Sequence, residues 1–274
     1  MPSQREFIAQ TGFLTFAHNT STTDYFELAT MQAASIKHYM PSMPVAVVVD
    51  AATAASIKSH KHFDRVIVLE RDLRNDHGIF ANEMQAFALT PFKETIKLES
   101  DLVLTRDIRH WIPGFRHHDI LLPNKIVNFR NEVVVDNTYR NFFRINNLPN
   151  VYTGIYYFRF STAAANFFKT VVDLFLNWNQ HKNCWRSSPD DASTDVVFAI
   201  AARLFGEEHC TNPSLSYPTM VHMKGAINDM APDADWTEHL YSQLDGKSLT
   251  AGFYRQIYPF HYYQKHWSVD YDRG

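Results

Sequence analysis

The stretch LTPFKETIKLESDLVLT, residues 89–105, decides the fold. Its central residues 95–98 (TIKL) predict a buried strand that ends directly before Glu99, Ser100 and Asp101. Residues i and i+2 of an extended chain face the same side, so the carboxylates of Glu99 and Asp101 can approach one cation. Carboxylate oxygens suit hard divalent ions such as Mn²⁺ and Mg²⁺. The stretch therefore predicts a strand whose carboxyl end holds a metal ion.

Upstream of this strand, apolar runs alternate with amphipathic patterns, and the connections between them are short. The predicted elements are a strand at 12–17, a helix at 23–39, a strand at 44–49, a helix at 51–60, a strand at 65–69 and a helix at 83–89. This alternation is typical of an α/β fold with a central, mostly parallel sheet flanked by helices. Ligands of such sheets bind beyond the carboxyl ends of the strands, which makes His18, Asp50 and Glu99 candidate site residues.

The second half of the chain is less regular. Residues 163–178 and 194–205 predict helices, and residues 151–160 predict a long strand or a strand pair. Residues 124–150 show no clear periodicity, and the tail at 254–267 is rich in aromatic residues and histidine. The pattern therefore locates the regular α/β part of the fold in the first half.

Composition and charge exclude several classes of protein. The 274 residues and 45% hydrophobic content suit one large α/β domain with a sizeable core. A formal net charge of −3 does not indicate nucleic-acid binding by the chain as a whole. The two cysteines form no CxxC pair. The sequence has neither a secretory signal nor an apolar run of ~18 residues, so we expect a cytoplasmic protein without membrane contact.

The region around the acidic pair resembles the DxD region of GT-A glycosyltransferases. Thr90, Pro91 and Phe92 precede the strand as in that family, and residues 102–104 (LVL) follow the motif. Glu99 stands where the family usually has Asp. The resemblance implies a Rossmann-like GT-A catalytic domain over residues 1–274 that transfers a sugar from a nucleoside-diphosphate sugar, with a UDP-sugar favoured. It also implies that Glu99 and Asp101 hold the Mn²⁺ or Mg²⁺ ion, with Ser100 among the donor-binding residues.

Three further segments resemble the same family in the same order. The first, GFLTFAHNTSTTDYFELAT at 12–30, corresponds to the strand and loop that hold the nucleotide, and NVYTGIYYFRFS at 150–161 to a segment beside the donor sugar. The third, MVHMKGAIN at 220–228, resembles a GT8-like segment with a metal-binding His and a diphosphate contact. The donor-binding residues implied by these segments and by the strand end at 50 are Thr15, Ala17, His18, Asp50, Gly154, Lys224 and Gly225.

Two histidines compete for the place of the third metal ligand. His222 matches the GT8-like segment, and we rank it slightly ahead of His261. His261 lies in the aromatic stretch YPFHYYQKHW, residues 258–267, and GT-A enzymes often carry their last metal-binding His in such a stretch near the C-terminus. Lys265, four residues later, is then a candidate contact of the diphosphate.

The segment SPDDASTDVVFAIA, residues 188–201, places three aspartates at the start of a helix. Aspartate at this position can simply cap the helix or favour its dipole. The resemblance implies instead that an acidic residue here faces the acceptor, either as a general base or as an orienting group. We prefer Asp195, which directly precedes the apolar helix, and rank Asp191 second.

The acceptor half is predicted over residues 109–274, after a nucleotide-sugar-binding half at 1–108. Residues 103–150 contain seven Lys and Arg against four Asp and Glu, interleaved with aromatic residues. This pattern suits nucleic acid, and a compact chain of this kind resembles phage enzymes that glycosylate hydroxymethylated DNA bases. Such an enzyme extrudes its base from the duplex. A saccharide or a protein is the alternative acceptor, since carbohydrate sites also use aromatic residues and Asn.

Two alternatives to a glycosyltransferase are considered. A nucleotidyltransferase would carry a Gly-rich phosphate loop after the first strand, but the loop AHNTSTTD at 17–24 has no glycine. A non-catalytic nucleotide-sugar-binding protein would keep the fold without turnover, and the departure at Glu99 is compatible with that hypothesis.

Overall fold

A computed structural model describes residues 6–135 and 138–272. In this part of the chain the strands are β1 (Ala9–Ala17), β2 (Val45–Val49), β3 (Arg65–Val68), β4 (Phe92–Leu98), β5 (Leu102–Val103), β6 (Ile120–Leu121), β7 (Ile155–Arg159), β8 (Val221–His222), β9 (Ser242–Asp245), β10 (Ser248–Ala251), β11 (Tyr254–Arg255) and β12 (Phe260–His261). The α-helices are α1 (Tyr25–Tyr39), α2 (Ala51–Ser56), α3 (Arg74–His77), α4 (Ala86–Leu89), α5 (Ile112–Phe115), α6 (Asn141–Ile145), α7 (Thr162–Leu176), α8 (Trp178–His181), α9 (Thr194–Phe205) and α10 (Glu207–Cys210).

The central sheet has six strands in the order β3-β2-β1-β4-β7-β6. The first four strands are mutually parallel, whereas β7 runs antiparallel to β4 and to β6. The chain moves outward from β1 to β3 and then returns to place β4 on the other side of β1. The strand order therefore reverses between β1 and β4, and a crevice for ligands opens beyond the carboxyl ends of these two strands.

Helices cover both faces of the sheet because the buried strands are apolar on both sides. All five residues of β2 (VAVVV) are buried, and successive residues alternate between two hydrophobic clusters. One cluster packs under α1, and the other packs under α7 and α9. The predicted α/β fold with a mostly parallel sheet flanked by helices is confirmed.

The predicted elements of the first half differ from the structure mainly at their ends. β4 begins at Phe92, earlier than predicted, and α1 begins at Tyr25, where the carboxylate of Asp24 caps it. α2 ends at Ser56 because it buries only Thr53, so no apolar stripe extends the helix to residue 60. Residues 81–89 form a 3-10 turn followed by α4 instead of one helix.

The irregular second half returns to the end of β4 through a small sheet in the order β5-β12-β8. β12 pairs antiparallel with β5 and parallel with β8. This register places His261 opposite both Leu102 and His222. A separate hairpin sheet contains β9, β10 and β11. Within residues 6–135 and 138–272, no helix is long and apolar enough to cross a membrane.

Candidate active site and metal centre

The turn that follows β4 is held from both sides. The side-chain amide of Gln32, on α1, donates hydrogen bonds to the carbonyl oxygens of Glu99 and Leu102. The backbone N–H of Glu99 donates to the carbonyl oxygen of Gly154 at 2.9 Å. The backbone is thus fixed independently of the Glu99 and Asp101 carboxylates, which are left to face the cavity.

His261 completes an acidic cluster at this turn. Its Nε2 lies 3.0 Å from Asp101 Oδ2 and 3.3 Å from Glu99 Oε2. One potential ligand atom from each of these three residues lies within 4.8 Å of the others. Two carboxylate oxygens and an imidazole nitrogen form a donor set that suits Mn²⁺ and related divalent ions. The residues that are present therefore fit a divalent cation.

The second histidine lies beside this cluster rather than within it. The ring of His222 stacks on that of His261 with centroids 4.6 Å apart and an interplanar angle of 4°. Burial lowers the pKa of His222 well below its ordinary value, so the ring is neutral. The structure thus brings His261 to the carboxylates and packs His222 against it.

Charges within the cluster shift the acidities of its members. Burial raises the pKa of Glu99 to about 7, against the opposing effects of His261 and Lys97. Burial alone would also raise the pKa of Asp101, but the charges and hydrogen bonds of His261 and Lys265 hold it well below its ordinary value. The ammonium of Lys265 donates directly to Asp101 Oδ2. Asp101 is therefore an ionised carboxylate that is stabilised by the ring of His261 and the ammonium of Lys265.

The cluster opens into a cavity of about 530 Å³ at the reversal of strand order. Several predicted site residues line this cavity, namely His18, Glu99, Ser100, Asp101, Asp195, His222, Lys224 and His261. Four further charged residues line the same cavity. Three are cationic and one is acidic, namely Arg74, Lys97, Lys265 and Glu83. This volume and its mixture of charged and aromatic walls suit a polar organic ligand.

A polar network closes the cavity beyond β1 and β2. Asp50 caps α2 by accepting from the backbone N–H of Thr53 at 2.6 Å, and its other oxygen pairs with Arg74. These interactions outweigh burial and lower the pKa of Asp50. His18 Nδ1 lies 3.6 Å from Asp50, and burial lowers the pKa of His18. The carboxylate of Asp50 thus contacts the cavity wall mainly through His18 and Arg74.

Four of the predicted donor-binding residues lie buried around the cavity. Thr15 and Ala17 are buried in β1 and do not line it. A Cβ atom at Gly154 would lie 2.7 Å from Met220 Sδ, so glycine allows this strand end to pack beside Glu99. A Cβ atom at Gly225 would lie 2.0 Å from the carbonyl oxygen of Ala231, so this glycine is required by backbone packing.

Asp195 is anchored by three interactions at the start of α9. Its Oδ1 accepts from the backbone N–H of Thr153 at 2.8 Å and from the Thr153 hydroxyl at 2.6 Å. Its Oδ2 lies 3.2 Å from Nη1 of Arg140. The helix cap is supplied by Ser193, whose hydroxyl accepts from a backbone N–H of the first turn. Asp195 is thus free of the capping role, and it lines the cavity, whereas Asp191 is exposed and does not.

Sequence reasoning did not single out Lys97, Glu83, Arg74 or Arg140. Lys97 is almost fully buried in β4 and forms an ion pair with Glu83. A lysine within the apolar strand TIKL was the available signal for that pair. Arg74 pairs locally with Asp72, but its contact with Asp50 joins segments distant in sequence, as does the contact of Arg140 with Asp195, so neither gave such a signal.

No protein-family model and no curated protein sequence matches the chain. Among solved structures, the chain is similar to mouse xyloside xylosyltransferase 1 in its apo form, with 11% identity, a TM-score of 0.49 and coverage of 75% of this chain and 84% of that one. It is also similar to the glycosyltransferase GlyE of Streptococcus pneumoniae TIGR4, with 9% identity, a TM-score of 0.48 and coverage of 74% and 45%. A third similarity is to TarS 1–349 of S. aureus, with 14% identity, a TM-score of 0.42 and coverage of 77% and 60%. The chain spans less than two thirds of the GlyE and TarS chains, and similarity at this level does not by itself assign an activity.

Proposed function

We propose that the chain is a GT-A glycosyltransferase that uses a divalent cation to transfer a sugar from a nucleoside-diphosphate sugar to a hydroxyl group. The observation that carries the proposal is the cluster of Glu99, Asp101 and His261 at the carboxyl end of β4. It lies beside the point where the strand order reverses, which is where α/β sheets bind nucleotides. It also coincides with the residues on which the sequence resemblance to the DxD motif rests.

The geometry suggests how a donor would lie in the cavity. Adjacent strands are about 4.8 Å apart, so β2, which precedes Asp50, and β4, which precedes the cluster, lie about 10 Å apart on either side of β1. That separation suits a nucleoside bound near His18 and Arg74 with its diphosphate at the cluster. Lys224 and Lys265 line the same cavity and supply positive charge for phosphate oxygens.

Each group then has a defined task. A bound cation would neutralise the charge that develops on the departing diphosphate. Lys265 would exchange its present contact with Asp101 for a phosphate oxygen. Asp195 faces the cavity with its carboxylate held in one orientation, so it would orient the acceptor hydroxyl or accept its proton. Within this proposal, we expect the ion to be Mn²⁺ and the donor to be a UDP-sugar.

The proposal is tested with a panel of nucleotide sugars, each with and without Mn²⁺, read by thermal shift and by release of nucleoside diphosphate. We expect one donor class to raise the melting temperature and to be hydrolysed only when the ion is present. Asp101→Asn should remove both effects. Asp107→Asn is the matched control, because Asp107 does not line the cavity and its carboxylate pairs only with Arg109 among the described residues. Hydrolysis without a divalent ion, or no response to any donor, would contradict the proposal.

The identity of the products separates the alternatives. A glycosyltransferase releases a nucleoside diphosphate, whereas a nucleotidyltransferase releases pyrophosphate, and a binding protein releases neither.

A hydroxymethylated DNA base remains the predicted acceptor from the sequence. The structure offers limited support for a polyanionic acceptor, because four of the seven basic residues at 103–150 are paired with carboxylates, namely Arg109, Arg116, Arg130 and Arg140.

A further inference from the structure

A second, smaller recess of about 240 Å³ adjoins the main cavity at Asp195. The two spaces share four residues, namely Ser193, Asp195, His222 and Lys224. The remaining wall of the recess is formed by Tyr139, Arg140, Asn141, Phe142, Phe143 and Tyr152. The Asp195 carboxylate therefore stands at the boundary between a charged cavity and a recess whose remaining wall contains four aromatic rings.

Arg140 fixes this boundary. Its guanidinium lies between two aromatic rings, 3.9 Å from the centroid of Phe143 and 4.1 Å from that of Tyr152. One Nη donates to the carbonyl oxygen of Val151 at 2.7 Å, and the other is 3.2 Å from Asp195 Oδ2. The side chain is 93% buried, and its Nε has no hydrogen-bond partner among the described residues. A guanidinium held so tightly leaves its carboxylate partner little freedom of orientation.

The aromatic wall is itself organised around this guanidinium. The hydroxyl groups of Tyr139 and Tyr152 are hydrogen-bonded to each other at 2.6 Å, which turns both phenol oxygens to a common point. Phe142 is only half-buried and lines the recess, so part of its ring remains open to a ligand. An open aromatic surface next to a fixed carboxylate suits a ring that has one apolar side and a hydroxyl at its edge.

We propose that this recess binds a neutral cyclic acceptor, such as the terminal ring of a saccharide, and that Arg140 is a positioning residue that aims Asp195 at the acceptor hydroxyl. This inference rests on the proposed function and deepens it. The charge of Arg140 is compensated by Asp195, so the guanidinium does not provide a site for an anionic acceptor. The shared wall at Asp195 brings the hydroxyl of such a ring to the edge of the donor cavity.

The experiment compares donor hydrolysis with transfer in the full chain, using free monosaccharides, p-nitrophenyl glycosides and an oligonucleotide that contains 5-hydroxymethylcytosine. Phe142→Leu keeps an apolar side chain but removes the ring. We expect it to raise the KM for a saccharide acceptor about two- to tenfold, the range expected for a lost aromatic contact. Phe253→Leu is the matched control, because Phe253 is fully exposed and lines neither the cavity nor the recess.

Arg140→Met and Arg140→Lys test the positioning role. We expect Arg140→Met to lower the transfer kcat about tenfold or more while the KM for the donor changes little, and Arg140→Lys to restore part of the loss. Melting temperatures of both variants identify any loss that comes from unfolding. An equal fall in hydrolysis and transfer, the same acceptor KM for the Phe142 and Phe253 variants, or transfer to the oligonucleotide alone would overturn the inference. If the unaltered chain hydrolyses no donor, the proposed function fails as well, whereas normal hydrolysis with unaffected variants overturns only this inference.

Discussion

Asp101 and Asp195 both line the main cavity, but they are held in opposite ways. The side-chain partners of Asp101 are His261 and Lys265, two cationic or metal-binding groups from the C-terminal segment. The partners of Asp195 are the backbone and hydroxyl of Thr153 together with the buried Arg140. In the proposed function a divalent ion would replace the first set, and the backbone of that turn would stay in place because Gln32 fixes it. No ligand could replace the second set without leaving buried polar groups unpaired.

This difference separates function from stability at the two carboxylates. Asp101 stands in a centre whose contacts are exchangeable, so its loss should affect turnover much more than folding. Asp195 is a structural tie between α9 and the segment before β7, so its loss should affect both.

Asp101→Asn should give the largest loss of activity. Replacing an ionised ligand with a neutral amide weakens cation binding, and the metal contribution to such a reaction is several kcal/mol. We expect metal-dependent donor turnover to fall roughly a thousandfold, measured by release of nucleoside diphosphate. The melting temperature should change little, since the amide can still pair with the neighbouring side chains. A variant with near-normal turnover would remove Asp101 from the site.

Asp195→Ala should lower sugar transfer by about a hundredfold, within the range for a lost acid–base group. It should also reduce the free energy of unfolding by about 1–3 kcal/mol, because the N–H of Thr153 loses its acceptor and Arg140 loses its counter-charge. Chemical denaturation measures the second effect. Asp190→Ala is the control, since Asp190 is fully exposed nearby. An unchanged unfolding free energy would show that the anchoring contacts are unimportant.

His261→Ala and His222→Ala form a matched pair within the exchangeable centre. Even partners of metal ligands contribute ten- to a hundredfold to metal affinity, so loss of His261 should raise the Kd for Mn²⁺ at least about tenfold. Loss of His222, which stacks on the ligand ring, should have a smaller effect. Titration calorimetry with Mn²⁺ alone distinguishes the two. The reverse order would make His222 the ligand, as the sequence first suggested.

Lys265→Met should change the affinity for Mn²⁺ least, and it should increase that affinity. Its ammonium occupies Asp101 and competes with a cation there. Removing this competing ammonium should tighten Mn²⁺ binding by up to about fivefold, which corresponds to about 1 kcal/mol. The KM for the donor should rise at the same time if Lys265 contacts the diphosphate. A weaker affinity for Mn²⁺ would show that Lys265 supports the metal centre rather than competing with it.

The regular half of the fold was predictable because its signals are local. The run VAVVV is apolar over its whole length, and TIKL combines two apolar residues with Thr95 and Lys97; both segments become buried parts of strands. The alternation of strands and helices predicted the mostly parallel sheet, but it does not fix the observed strand order. The ends of elements were less accurate, as at α2, because a helix ends where tertiary burial ends rather than where helix-forming residues end.

The candidate site was predictable only where residues of a metal-binding type lie close together in the sequence. Glu99 and Asp101 follow one strand and could be paired from spacing alone. The positions of His222 and His261 depend on a two-residue pairing of β12 with β5 and β8, which leaves no periodic pattern in the sequence. Arg140 lies in the stretch without periodicity, and its partner is 55 residues away. Contacts between distant segments therefore place these residues in the site, and the sequence pattern does not reveal such contacts.

A crystal structure with Mn²⁺ and UDP, in which anomalous scattering locates the manganese, tests the metal centre most directly. We expect one ion within about 2.0–2.6 Å of oxygens from Glu99 and Asp101 and of a nitrogen from His261, with the diphosphate on its open side. An ion elsewhere, or a bound UDP whose diphosphate lies away from Asp101, would show that this cluster is not the metal centre.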